Sequence, residues 1–424
     1  MRMCNSPPQS RAQACGTIRK VSFWVVVSSL LLPFLLAADW PQFLGPTRNA
    51  VSSEVGLNTS WGEGGPTALW TKEVGSGYSS PVIADGRLLI FHRVGDEEVL
   101  QCLDAHSGKP LWKTASPTRY VDDFGKGDGP RSTPLVTGRS VVTLGADGRL
   151  QCLELQTGRK IWERALHEDF VVSKGFFGVA TSPIAEDGLV LVNVGSKQAG
   201  IVAFALDTGK EVWRATDQGA SYSSPVAATI DGVRHVFFFT REGLASLDPR
   251  NGAVRLSKPW RSRFQASVNA ATPVIIQNRL FLSASYNTGA VMLRVRRDGL
   301  EELWKGDDVL SNHYTTSICH QNFLYGFDGR QEQRPRLRCV AAASGLVQWT
   351  KEGFGCGSML LAEGKLIVLT EDGDLVSIEA TPEAYREICR ARVLSAPCRA
   401  ALALSDGRLY GRDDHKLVCW NLKK

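Results

Sequence analysis

Apolar residues along the chain fall in short alternating runs broken by Gly-centred polar turns, with no sustained 3.6-residue periodicity. That pattern predicts strands joined by tight turns. One phrase shows the layout: "LQCLDAHSGKPLW" at 100–112 returns as "LQCLELQTGRKIW" at 150–162. Its second half comes back at 204–213, 246–256, 295–304 and 340–349, and the glycines Gly108, Gly158, Gly209, Gly252, Gly299 and Gly345 stand 43 to 51 residues apart. A β-patterned repeat of that period predicts a four-stranded propeller blade.

Each unit has one internal order. A short strand, a tight turn and a second strand come first, as in "SSPVIADGRLLIF" at 79–91, where Asp-Gly supplies the positive φ of a two-residue hairpin. A third strand such as "VLQCLDA" follows, then a turn with a left-handed Gly, then a fourth strand ending near Trp. Leu100 and Cys102 on one side of that third strand, Leu103 and Ala105 on the other, are expected to bury both faces. The first hairpin occurs eight times and so does the third strand, the last being "KLVCWNL" at 416–422. Only seven fourth strands follow, while "TALWTKEV" at 67–74 has fourth-strand character and no blade before it. The prediction is therefore all-β: a single eight-bladed β-propeller of four-stranded antiparallel blades over 67–424, closed by an N-terminal strand that completes the last blade. Residues 39–66 form an irregular lead-in, expected on the outside or one face of the ring. In the seventh blade, 380–394 departs most from the repeat.

Trp70, Trp112, Trp162, Trp213, Trp304 and Trp349 share one repeat position, which suits blade-to-blade docking, since one ligand does not need the same residue in blade after blade. Cys102, Cys152, Cys339 and Cys419 sit in matching strand positions and read as free, buried thiols. Pairing of Cys319, Cys356, Cys389 and Cys398 stays open.

Composition narrows the setting. Gly is 41 of 424 residues, in keeping with many turns. Arg19 and Lys20, an apolar run and small residues before Asp39 make 1–38 a signal peptide, cleaved after Ala38, with an uncleaved anchor as the alternative. The body is then exported, to the periplasm or cell envelope. Removing 1–38 takes away four cations and no acid, so the formal charge drops from +6 to about +2, no footprint for nucleic acid. Membrane association is expected only through partners or the anchor, and the chain is expected to be monomeric.

The turn and strand in "LDAHSGKPLW", "LELQTGRKIW" and "ALDTGKEVW" resemble the PQQ repeat of quinoprotein alcohol dehydrogenase-like propellers. The same repeat occurs in the outer-membrane assembly scaffold BamB, which this chain resembles in length, eightfold count and export. The opening "DWPQFLGPTRNAVS" is similar to the start of many exported PQQ-like repeat proteins. The resemblance implies a propeller and, on the BamB side, an envelope scaffold that binds proteins and no quinone. The dehydrogenase side implies PQQ held against a disulfide of adjacent cysteines with Ca²⁺ bound by Glu, Asn and Asp. The sequence has no Cys-Cys pair, so no catalytic or metal residue carries over. The leading expectation is a non-enzymatic scaffold without cofactor; a divergent PQQ-dependent oxidoreductase with calcium, or a carbohydrate-active or glycan-binding propeller, is the alternative.

Function on a propeller gathers where the first strands enter the central channel. The residues three before the inner-strand Pro or its equivalent include Tyr78, Arg131, Tyr222, Tyr314, Cys356 and Arg399, with Asn269 and His313 one step earlier. Tyr and Arg are favoured in recognition, so Tyr78, Arg131, Tyr222, Asn269, His313, Tyr314 and Arg399 form a candidate ligand-binding mouth; the alternative is tyrosines plugging a wet channel. Two long early loops carry Asp122, Asp123, Asp128, His167, Glu168 and Asp169, expected near the same face as cation ligands, acid–base groups or solvated acids. "GKGDG" at 125–129 lacks the Lys-Ser/Thr of a phosphate loop and reads as a turn.

Overall fold

The structure, a computed structural model, describes residues 39–172 and 174–424. The proposed export segment 1–38 lies outside the described residues. Eight four-stranded antiparallel sheets form, each a simple meander. Blade 1 comprises Val82–Ala84, Arg87–Val94, Glu97–Asp104 and Pro110–Pro117. Blades 2 to 7 follow over 135–165, 184–215, 226–259, 274–306, 318–351 and 357–392. Blade 8 joins the two ends of the fold: Ala403–Ser405, Arg408–Arg412 and Lys416–Asn421 are completed by Ala68–Glu73. Trp70 lies opposite Cys419 and Glu73 opposite Lys416. The molecule is an eight-bladed propeller, and the divergent fourth strand of blade 7 is present as Glu387–Arg392.

Local chemistry accounts for the hairpins. Asp85 and Gly86 take φ of 50° and 69°, Asp187 and Gly188 take 48° and 77°, the mirror-image turn that matches strand twist. Third strands bury both faces: Leu100 and Cys102 pack in a cluster with Val141 and Leu153 of blade 2, while Leu103 and Ala105 join the cluster that holds blade 8.

The shared Trp position is where one blade grips the next. Five of the six indoles lie over the turn glycine of the next blade, so closely that a Cβ added at Gly108, Gly158, Gly209, Gly252 or Gly345 would stand 2.3 to 2.9 Å from the ring of Trp70, Trp112, Trp162, Trp213 or Trp304. Those glycines have φ between 68° and 74°, a region where side chains are costly. The indole N–H also donates to a carbonyl of the neighbouring turn, for example Trp162 to Leu206 at 2.8 Å and Trp349 to Thr381 at 2.8 Å. Cys102, Cys152, Cys339 and Cys419 stand directly across the strand pair from Trp112, Trp162, Trp349 and Trp70, where a small apolar side chain leaves room for the ring. The fourth strand does not end at the Trp as expected: Trp112 is the third residue of Pro110–Pro117. A bulge just after Cys102 resets the register there, so the strand runs on past the wedge.

A second set of hydrogen bonds links neighbouring inner strands around the channel. At Thr133, Ser182 and Ser224 the hydroxyl before the proline accepts the backbone N–H of its counterpart one blade earlier: Ser80 N to Thr133 Oγ1 at 3.1 Å, Thr133 N to Ser182 Oγ at 2.9 Å and Ser182 N to Ser224 Oγ at 3.0 Å; Thr272 N likewise donates to Thr316 Oγ1 at 3.0 Å. Ala401 N closes the chain ends by donating to Ser80 Oγ at 2.9 Å.

The lead-in crosses one end of the channel. Trp40 exchanges backbone hydrogen bonds with Ile83 of blade 1 at 2.8 and 2.9 Å, Pro41 O accepts from Val136 of blade 2, and Ser52 N donates to Leu361 of blade 7. Between them Arg48, 3% exposed, donates from Nη1 to Pro225 O at 2.9 Å and from Nη2 to Pro183 O. The lead-in is thus a stopper reaching into the channel.

The wedge makes a paired prediction. Gly209→Ala, which drives a methyl into Trp162 and strains a φ of 68°, is expected to lower stability by about 2–4 kcal/mol. Gly299→Ala, with nothing within 4 Å of the new methyl, is expected to shift it by less than about 0.5 kcal/mol. Denaturant unfolding of both variants checks this.

Candidate functional site

Above the stopper lies a cavity of about 420 Å³ on the ring axis. Its floor is Phe43 and Leu44 of the lead-in together with Ser80, Ser182, Ser224 and Ser358. Its wall is built from the residues that enter the inner strands: Tyr78, Arg131, Tyr222, Tyr314 and Arg399, with His313 beside Tyr314. Those positions repeat because the inner strands are parallel spokes around one axis, so equal offsets from the proline land at equal depth. Loops from 124–126, 176–177 and 330–332 supply the rim.

Hydrogen bonds hold the wall in place. Tyr78 Oη donates to Lys126 O at 2.6 Å and accepts from Arg399 Nη1 at 3.2 Å. Arg399 pairs with Glu371, which also accepts from Cys356 Sγ at 3.1 Å. Arg131 pairs with Asp122 at 2.7 Å and lies over the rings of Tyr78 and Phe177 at 5.6 Å each. Tyr222 Oη accepts the backbone N–H groups of Phe176 and Phe177 at 2.7 and 3.0 Å. His313 Nε2 faces Tyr286 Oη at 2.9 Å, and its Nδ1 faces Gln331.

Burial pushes the Tyr78, Tyr222, Tyr286 and Tyr314 phenols up and the His313 imidazole down. Burial likewise pushes the Cys356 thiol up to about 12. Burial opposes ionisation of Asp122, yet the N–H groups of Lys126 and Phe124 and the Arg131 guanidinium hold its carboxyl below the usual range. At neutral pH the wall therefore presents neutral hydroxyls, a neutral imidazole and arginine cations.

Six of the seven candidate mouth residues meet in this cavity; Asn269 does not. Asn269 is buried at 4% exposure and spends its amide on Thr240 O and Trp260 O, at 2.8 and 3.1 Å, and its own carbonyl on Tyr222 N and Ser223 N. It is a strut behind Tyr222. The six loop groups do not converge either. Asp128 caps Asp122 N at 2.7 Å, Asp123 pairs with Lys174 at 2.7 Å, and Asp169 with Arg164 at 2.7 Å. His167 and Glu168 border a separate cavity of about 700 Å³ near Arg119, Asp147 and Arg149. Sequence reasoning missed Tyr286, Phe176, Phe177, Arg330 and Ser358, most of which come from loops outside the repeat. For Tyr286 a signal exists in the turn "SYNTG", where Tyr286 and Asn287 take φ of 64° and 57°.

A family model described as "Outer membrane protein assembly factor BamB" matches residues 95–351, well over half of the chain. The chain belongs to this family of PQQ-repeat propellers. Among solved structures, BamB from Moraxella catarrhalis is similar with a TM-score of 0.62 at 15% identity, over 84% of this chain and 98% of that one. A quinohemoprotein alcohol dehydrogenase from Comamonas testosteroni gives 0.53 at 14% identity, over 90% and 80%. The quinohemoprotein alcohol dehydrogenase ADHIIG from Pseudomonas putida HK5 gives 0.56 at 12%, over 91% and 80%. At these identities the likenesses speak for the BamB-family fold alone. No curated protein sequence matches the chain.

The BamB-family wall does not suit a quinone held in the manner the resemblance implies. The described cysteines are all free thiols, and Cys356, beside the cavity wall, has its sulfur engaged by Glu371 and Tyr314 rather than by a neighbouring cysteine. Glu371, a candidate calcium ligand by type, is committed to Arg399.

Glu98 is 3% exposed and accepts, at 2.8 Å, the N–H of Ala146, which borders the second cavity. Burial pushes its carboxyl up to about 7. A raised folded value favours the protonated form, so the stability Glu98 contributes is present below pH 4.5 and is lost as pH rises through 7. Glu98→Gln keeps the acceptor without the charge. It is expected to raise stability at pH 8 by about 1–3 kcal/mol and to flatten the wild-type decline between those values, as measured by unfolding across pH.

Proposed function

We propose that the chain is a binding scaffold of the cell envelope, exported through residues 1–38 and engaging envelope proteins with the face around the channel mouth. One observation carries this reading: an aromatic and cationic surface mounted on the two longest early loops. Phe124, 53% exposed, packs its ring against Phe176 and Phe177 at 5.8 and 5.5 Å, and Phe177 against Tyr222 at 5.6 Å. Val121 and Val171 on the same two loops are 57% and 92% exposed. Arg241 lies over Phe176 at 5.9 Å, and Lys174 over Tyr120 at 5.7 Å. Exposed aromatic anchors backed by cations on a rigid ring are what protein recognition uses. Membership of the BamB family supports the envelope setting.

A photo-crosslinking residue in place of Phe124, compared in living cells with one in place of Val254 on an outer blade edge, tests the reading. A discrete envelope protein captured at 124 only, and lost with Phe176→Ser, is expected. Equal capture at both sites, or turnover of an alcohol with PQQ and Ca²⁺, overturns it.

A further inference from the structure

We propose that the blind cavity binds a carboxylated sugar, a uronate-type ring whose carboxylate is held at Arg131 and whose hydroxyls meet the serine floor. The inference goes beyond the scaffold reading and does not depend on it, because the carboxylate and hydroxyl contacts it needs, Arg131 and the serine floor, lie inside the channel.

Charge comes first. Lys126, Arg131, Arg330 and Arg399 line the cavity against a single lining acid, Glu332. The acids nearby are already answered: Glu332 by Arg330 at 3.4 Å, Glu371 by Arg399 and Cys356, Asp122 by Arg131 and two backbone N–H groups at 2.9 Å. Beneath the floor Arg48 is a buried cation with only Gln42 and two proline carbonyls as partners. Four lining cations against these three carboxylates, with Arg48 beneath, leave a net positive charge around the cavity, which favours an anion.

Unspent donors come second. Arg131 Nη1 is buried without a hydrogen-bond partner, and so is the hydroxyl of Ser358, a residue 7% exposed; both residues line the cavity. Ser80, Ser182 and Ser224 each accept a backbone N–H from the neighbouring blade, and each keeps its own O–H to donate. Buried donors left unpaired cost free energy, and a ligand bearing acceptors relieves that cost.

Shape and surface decide the class. A flat aromatic acid satisfies Arg131 but leaves a hydroxyl floor facing carbon. A sugar presents hydroxyls to the floor and its C–H faces to Tyr78, Tyr222 and Phe177, which stand around Arg131 and the rim. Roughly 420 Å³ lies in the range of small-ligand pockets and admits one or two hexose rings. Tyr286, with its proton directed to the neutral His313, keeps its oxygen as an acceptor for a sugar hydroxyl.

The test is thermal unfolding and calorimetry of the exported chain with galacturonate, glucuronate and their disaccharides, against glucose, benzoate and inorganic phosphate. Saturable stabilisation by the carboxylated sugars, absent with the other three at about 10 mM, is expected. Arg131→Gln is expected to weaken binding by at least about tenfold and Ser358→Ala by about threefold. Arg131→Gln leaves Asp122 unpaired and can loosen its loop, so Ser358→Ala and Phe177→Ala, which spare every ion pair, carry the decision if that variant fails to fold. No stabilisation by any carboxylated sugar, an equal effect of glucose, benzoate or phosphate, or unchanged affinity in both Ser358→Ala and Phe177→Ala overturns the proposal. A negative result here leaves the crosslinking test of the rim untouched.

Discussion

The ring rests on one contact, made at five of its eight interfaces: a tryptophan of one blade lying on a bare, left-handed glycine of the next. Distance dictates the rest. The turn must be glycine because a methyl there meets the indole below 3 Å, and the residue across the strand is small at five of the six tryptophans, cysteine four times and Ala203 once, with Met292 opposite Trp304 the exception. The register must slip by one residue so that the fourth strand clears the wedge and continues. Two interfaces lack the tryptophan and show what replaces it. Between blades 4 and 5, Leu256 joins a shared cluster with Leu280 and Leu293, and Lys258 bridges to Glu302 at 3.1 Å. Between blades 7 and 8, Cys389 stands in the wedge position, and the lead-in brings Trp61 to it, the Trp61 backbone N–H donating to Cys389 Sγ at 3.4 Å.

A rigid ring of this kind frees its inner strand starts for other work. They need only a hydroxyl before the proline to link with the next blade, and the residue two positions earlier is then unconstrained by packing. That is where Tyr78, Arg131, Tyr222, Tyr314 and Arg399 stand. Structure and recognition are thus separated along each strand, the outer hairpin serving the ring and the inner entry serving the cavity.

This separation explains what could be read in the sequence. Blade number, meander order and closure by Ala68–Glu73 were legible because packing repeats: eight copies of one demand leave eight copies of one pattern. The offset from the proline likewise located six wall residues, since it follows the repeat. Tyr286, Phe176, Phe177 and Arg330 were not legible, because they come from loops that obey no period and reach the axis only through the ring's closure. Asn269 misled for the opposite reason: it holds a position beside the wall, but its amide answers the backbone carbonyls of Thr240, in a turn of blade 4, and Trp260, just after that blade. The loop acids misled by proximity in sequence, for Asp122, Asp123, Asp128 and Asp169 each found a local N–H or cation before another acid.

Arg48 joins these two layers. A buried guanidinium without a carboxylate partner is costly, and burial pushes its value down to about 9; an apolar residue would close the channel with less desolvation. What an apolar residue cannot do is answer Pro183 O and Pro225 O, carbonyls at the entries of adjacent inner strands, which sit inside the ring and away from water. One side chain satisfies both, ties blade 3 to blade 4, and anchors the lead-in, at the cost of a positive φ of 54° at Arg48 itself. The stopper is therefore bonded into the ring from below, and a fixed cation lies beneath the floor of the cavity it closes.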